Sequence, residues 1–144
     1  MRYRDTSTLA KLYVAEPDSP RFSAHWAQTG LITTSTLARW ELYSVLARKE
    51  ADGLIPSGAA EIIFNEFLAD VSHGLVALLP MQEAEENRFR HLVSRLYQSK
   101  PSLFMRTLDV IHIATADLHG VSEFVSTDLN LRKCATAIGL ALFP

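Results

Sequence analysis

The chain has 144 residues, 48% of them hydrophobic and 21% charged, with a formal charge of −2 at pH 7. That balance excludes a disordered or low-complexity chain, and it excludes nucleic-acid binding by bulk positive charge, so a phosphate ligand would need a local patch or bound metal. The lone Cys134 excludes an internal disulfide and a Cys-rich zinc site; the apolar runs are too short to span a membrane and "MRYRDTSTLAK" lacks a signal-peptide core, so a cytoplasmic location is expected.

"MRYRD" (1–5) reads as a weak first strand, followed by short helices over 7–15 and 17–28, the second with Pro17 and Asp18 in its first turn. "LITTS" (31–35) is a second strand. "TSTLARWELYSVLARKEADG" then predicts a helix with Leu37, Trp40, Tyr43 (or Ser44) and Ala47 on its apolar face and Gly53 as its stop. A further helix starts after Pro56 and ends near Gly74, leading into the strand "GLVALLP" (74–80). "MQEAEENRFRHLVSRLYQSK" is a helix, acidic at its beginning and basic at its end as the helix dipole favours, and its run at 83–86 is expected to be a solvated face. "RTLDVIHIATA" (106–116) predicts a helix apolar nearly all round, "EFVSTD" (123–128) a fourth strand and "LALFP" (140–144) a fifth. Strands alternating with helices imply an α/β fold in one domain, with a parallel sheet covered on both faces.

In such sheets ligands bind beyond the carboxyl ends of the strands. Asp5 and Asp128 stand at strand ends, Glu41 two turns into the helix after the second strand, and Asp109 near the start of the helix before the fourth, so all four acids can share one rim. Asp5 and Asp128 could equally be helix N-caps, and Glu41 could face solvent. Asp109, among apolar neighbours, is hardest to explain as structural, because a buried carboxylate is costly unless paired or coordinated. Converging carboxylates without a Cys or His ligand set are what Mg²⁺ or Mn²⁺ selects. His112 shares a helix face with Asp109 and reads as a hydrogen-bonded residue orienting the rim; His119 is too far along the helix to join it on one ion.

"RDTSTLAKLYVAEPDS", "TSTLARWELYSVLARK", "RTLDVIHIATA" and "FVSTDLNLRKCATAIGLALF" together resemble the four motifs of PIN-domain ribonucleases, and among them the VapC-type toxins of toxin–antitoxin pairs. The resemblance covers nearly the whole chain, 1–144. It implies a three-layer α/β/α fold with a five-stranded parallel sheet. It also implies one or two Mg²⁺ or Mn²⁺ ions held by Asp5, Glu41, Asp109 and Asp128, with Thr6 or Ser7 and Thr127 supporting through hydrogen bonds. The chain departs from the family at Arg4, where an apolar residue is usual; Arg4 either touches the acids or a phosphate, or is a charge without a role there.

The implied reaction is hydrolysis of RNA phosphodiesters by metal-activated water. No nucleophile elbow, phosphate-binding Gly loop or dinucleotide fingerprint supports another chemistry. Lys11, Arg39, Arg132 and Lys133 are near-rim cations, candidates for phosphate contact or else solvated surface charges. An antitoxin protein is the implied partner, and Leu54, Ile55, Ile62, Ile63 and Phe67 offer either a homodimer surface or ordinary core. Two other readings compete. A receiver module fits poorly because the third strand ends "LLPMQ" without an Asp; a catalytically silent PIN-like binding scaffold is separable only by a nuclease assay.

Overall fold

The structure is a computed structural model that describes residues 1–28 and 31–144. Its strands are β1 (Arg2–Arg4), β2 (Ile32–Ser35), β3 (Val76–Leu79), β4 (Glu123–Val125) and β5 (Leu142–Phe143), and every pairing between them is parallel. The order is β3-β2-β1-β4-β5, so the chain builds outward from β1 in one direction and then the other. The reversal lies between β1 and β4, the position at which open parallel sheets leave a crevice above their carboxyl ends.

Helices cover both faces. α5 (Glu83–Gln98), α6 (Thr107–Leu118) and α7 (Leu129–Ala137) bury Leu92, Leu96, Val110, Ile113, Ala114, Leu131 and Ala135 with Tyr3 and Phe124. Tyr3 and Phe124 are register partners on adjacent strands, and their rings stack at 5.4 Å. On the other face α1 (Thr6–Ala10), α3 (Leu37–Ala51) and α4 (Ala59–Ser72) pack Leu9, Leu42, Leu46 and Phe67 over Ile32 and Val76. The three-layer α/β/α architecture expected from the sequence is therefore the one observed.

Strand alternation explains the polar β1. With Tyr3 on one face, Arg2 and Arg4 must point to the other, where α2 (Ser19–Ala27) receives them. Arg4, only 3% exposed, donates to the Phe22 carbonyl at 3.1 Å and lies 3.2 Å from His25 Nδ1. Burial pushes its pKa down to about 10, which still leaves it charged at neutral pH. His25 bonds Glu123 at 2.6 Å and stacks on Phe143, and Arg2 pairs with Glu123 across the strands at 3.3 Å.

Three expectations about the helices are corrected. α3 buries Leu37, Ala38, Leu42 and Leu46, whereas Trp40 is 70% exposed and Tyr43 and Ala47 also face solvent. Apolar residues lie on several sides of this helix, and of the 37–40–43 stripe only Leu37 is buried. In the acidic run, Glu85 is buried; it accepts from the Gln82 N–H in a capping box and bonds His119 at 2.9 Å. α6 carries apolar residues nearly all round but is not buried throughout, since Leu108 at its start is 46% exposed.

Candidate active site

β1 ends at Arg4, and Asp5 both closes the strand and caps α1. Its carboxylate accepts from four donors: the Thr8 N–H and Thr8 hydroxyl, each at 2.8 Å, the Ser7 hydroxyl at 2.9 Å and the Ser126 hydroxyl at 2.5 Å. Ser126 follows β4, so this bond crosses the switch point and ties the two central strand ends together. Asp128 caps α7 in the same way, but with one oxygen: Oδ1 accepts from the N–H groups of Asn130 and Leu131, and Oδ2 faces the crevice. For Asp128 the N-cap and rim readings are therefore compatible, because capping through Oδ1 leaves Oδ2 to face the crevice, whereas both oxygens of Asp5 already accept from backbone or hydroxyl donors.

Glu41 reaches the crevice from the first turns of α3 and is held from two sides. The Thr6 hydroxyl donates to its Oε2 at 2.5 Å, and His112 Nε2 lies 2.6 Å from the same oxygen. Burial works to raise the Glu41 pKa, but the hydrogen bonds from His112 and the Thr6 hydroxyl and the nearby Arg106 charge outweigh it, leaving the group below the ordinary carboxylate range. Glu41 is then ionised and can only accept, which assigns the proton to Nε2 of His112. Nδ1 is left to accept from the Tyr3 phenol, 2.6 Å away and kept protonated by complete burial. A chain of hydrogen bonds thus runs from the core of the sheet to the rim.

Asp109 lies in the first turn of α6 with its side chain 14% exposed. Its partner is Arg106, which donates through Nε to Oδ2 at 2.8 Å and through Nη2 to Oδ1 at 3.3 Å. The same Nη2 stands 3.5 Å from Asp128 Oδ2. The half-buried carboxylate is thus paired, and by a residue that the sequence alone did not single out.

Asp5, Thr6, Ser7, Glu41, Arg106, Asp109, His112 and Asp128 line one crevice of about 200 Å³. Among the described residues no three His, Cys, Asp or Glu are gathered tightly enough to hold an ion as they stand. The donor chemistry nevertheless fits a hard divalent cation: four carboxylates line the crevice with one guanidinium, a surplus of negative charge on oxygen ligands, and Asp5, Glu41 and Asp128 are each held by backbone or hydroxyl groups.

Other expected positions lie elsewhere. Arg4 points under α2 and reaches neither the acids nor the crevice. Lys11 is tied to Asp18 at 2.6 Å and Glu16 at 3.3 Å, while Arg132 donates back to the Ser126 carbonyl at 2.9 Å. Arg39 and Lys133 are exposed but do not line the crevice. Thr127 is exposed, and the hydroxyl that supports Asp5 belongs to its neighbour Ser126. Of the apolar residues considered for a dimer surface, Ile55 and Phe67 belong to the core, and Leu54 and Ile62 are 68% and 64% exposed.

Ser126 also accepts from the Asp128 N–H at 3.1 Å, so one hydroxyl positions two acids. Ser126→Ala should therefore cost about 1.5 to 3 kcal/mol, the range for a hydrogen bond to a charged group, whereas Thr127→Ala should stay within about 0.5 kcal/mol. Urea unfolding of both variants checks this, and equal midpoints would refute the assignment.

Among solved structures the chain is similar to FitAcB from Neisseria gonorrhoeae, with 20% identity, a TM-score of 0.73 and coverage of 100% of this chain and 97% of that one. VapBC2 from Rickettsia felis, bound to a DNA fragment from its promoter, gives 14% identity and a TM-score of 0.69 over 99% and 98% of the two chains. VapC20 of Mycobacterium tuberculosis, a Sarcin-Ricin loop cleaving toxin, gives 17% and 0.68 over 98% and 97%. No curated protein sequence matches. At these identities the structural likeness speaks for the fold. The sequence itself matches the PIN domain over residues 2–136, which takes in all four acids of the crevice, and the chain belongs to the PIN domain family.

Proposed function

We propose that the protein is a cytoplasmic, Mg²⁺- or Mn²⁺-dependent endoribonuclease and the toxin of a toxin–antitoxin pair. The observation that carries this reading is the crevice at the switch point, which four carboxylates line with a single guanidinium. Membership of the PIN domain family supports a nuclease, and the fold shared with a Sarcin-Ricin loop cleaving toxin supports RNA as substrate. Asp5, Glu41, Asp109 and Asp128 would hold the metal. When bound, such an ion lowers the pKa of water to give a nucleophile near neutral pH and stabilises charge on the leaving oxygen.

The protein's own groups do the positioning. Thr6 and His112 fix one oxygen of Glu41, Ser126 and the Thr8 N–H fix Asp5, and the α7 N-terminus fixes Asp128. These bonds hold the three acids at the rim of the crevice and limit how far each must move when a phosphate is bound. The antitoxin in this reading covers the crevice, and the exposed Leu54 and Ile62 contribute to a homodimer contact. A PIN-like scaffold that binds without turnover is the second reading, favoured by Arg106 already satisfying Asp109.

Incubating the purified protein with single-stranded RNA and with DNA of the same sequence separates these. The expected result is RNA cleavage with Mg²⁺ or Mn²⁺, none in excess chelator, and recovery when Mn²⁺ is restored. Cleavage that persists undiminished in chelator would overturn the metal mechanism, and RNA binding without cleavage would establish the scaffold.

A further inference from the structure

The crevice already contains one cation of its own. Arg106 is held by two hydrogen bonds to Asp109 and approaches Asp128, the two acids that α6 and α7 bring to the same side of the rim. Its partners are anchored and it is not. Asp128 is fixed through Oδ1 by two backbone N–H groups, and Asp109 is built into the first helical turn with 14% of its side chain exposed, whereas the Arg106 side chain is 77% exposed and hangs from extended backbone just before the helix.

We propose that the Arg106 guanidinium is a displaceable internal counter-ion that occupies the cation's place between Asp109 and Asp128 and competes with the divalent metal for them. The proposal rests on the metal-dependent reading above. Three properties suit the residue to this role. It stands immediately before α6, three residues ahead of Asp109, where its side chain reaches that carboxylate. Guanidinium does not lose its proton under physiological conditions, so the competition persists across the working pH range. An ion pair this exposed is weak, so a divalent ion can dislodge it without disturbing the core. Without metal, Arg106 relieves the repulsion between two neighbouring carboxylates; with metal, its departure leaves both oxygens to the ion.

The test is direct binding of Mn²⁺ to the full-length protein, followed by electron paramagnetic resonance of the free ion at constant ionic strength. Arg106→Gln is expected to bind Mn²⁺ about three- to tenfold more tightly than wild type, the factor set by removing weak exposed ion pairs, while Arg106→Lys, which keeps the charge, stays near wild type and Asp109→Asn binds more weakly. Thermal unfolding supplies a second readout: metal-free Arg106→Gln should melt below wild type and gain more on adding Mn²⁺. Wild-type binding that Arg106→Gln leaves unchanged or weakens would overturn the counter-ion role alone. If neither wild type nor Arg106→Gln shows saturable binding, the metal-dependent reading falls and takes this proposal with it.

Discussion

Asp109→Asn is expected to lower RNA cleavage by about two to three orders of magnitude, the loss typical when a group that stabilises transition-state charge is removed, while the protein stays folded. The side chain lies at the rim, not in the core, and its hydrogen-bonded partner Arg106 is exposed. Asparagine keeps the volume and one acceptor oxygen for the Arg106 N–H, and it removes the negative charge that a metal ion requires. Asp5→Asn should abolish cleavage to a similar degree but with a stability cost as well. Asp5 is 3% exposed and accepts from four donors on two sides of the switch point. Asparagine still caps a helix well through its carbonyl, but its amide would face the Ser126 or Ser7 hydroxyl, forcing those groups from donors into acceptors. Single-turnover cleavage assays paired with urea unfolding resolve the two effects. An Asp109→Asn variant retaining half of wild-type activity would remove Asp109 from the site.

The placement of these acids was readable from sequence because it depends on topology. A strand end in a parallel sheet and the start of the next helix share a rim whatever the surrounding side chains do, so Asp5, Glu41, Asp109 and Asp128 could be assigned to one edge of the sheet. The β1 arginines were opaque because their explanation lies far along the chain: Arg4 meets His25 and the Phe22 carbonyl, and Arg2 meets Glu123, contacts that no local pattern encodes. Helix α3 misled for a different reason. It carries two apolar stripes, and only the packing of α1 and α4 selects Ala38, Leu42 and Leu46 over Trp40 and Tyr43. That choice rotates Glu41 to the boundary between the buried face and the crevice. Ser126 was missed by a single position, since the fourth strand ends at Val125 and its next residue, not Thr127, turns back onto Asp5. Arg106 carried one usable signal, its three-residue spacing from Asp109, but its reach to Asp128 depends on where α7 starts.

His112→Ala should be the most destabilising substitution at the site, by about 3 kcal/mol, because it combines a core cavity with two stranded polar groups. His112 is 2% exposed; without it the fully buried Tyr3 phenol loses its acceptor and Glu41 loses the donor that holds it toward the crevice. The consequence depends on pH in a defined direction. In the wild type the Glu41 pKa lies below its unfolded value, so its contribution to stability is fully present above the ordinary carboxylate range and is lost as pH falls through the folded pKa. In His112→Ala the burial that opposes ionisation is no longer outweighed by the imidazole, and the folded-state pKa of Glu41 rises. The stability gap between wild type and variant should therefore be widest near neutrality and narrow on acidification below the usual carboxylate pKa. Urea midpoints from pH 7 to about pH 3, bracketing that range, measure it, and the same pair on a Glu41→Gln background isolates the coupling. On that background the Glu41-linked narrowing should disappear, because the titrating carboxylate is gone. If the gap narrows just as much without the carboxylate, Glu41 is not the group His112 holds ionised, and the hydrogen-bonded chain from Tyr3 to the rim does not set the charge of the site.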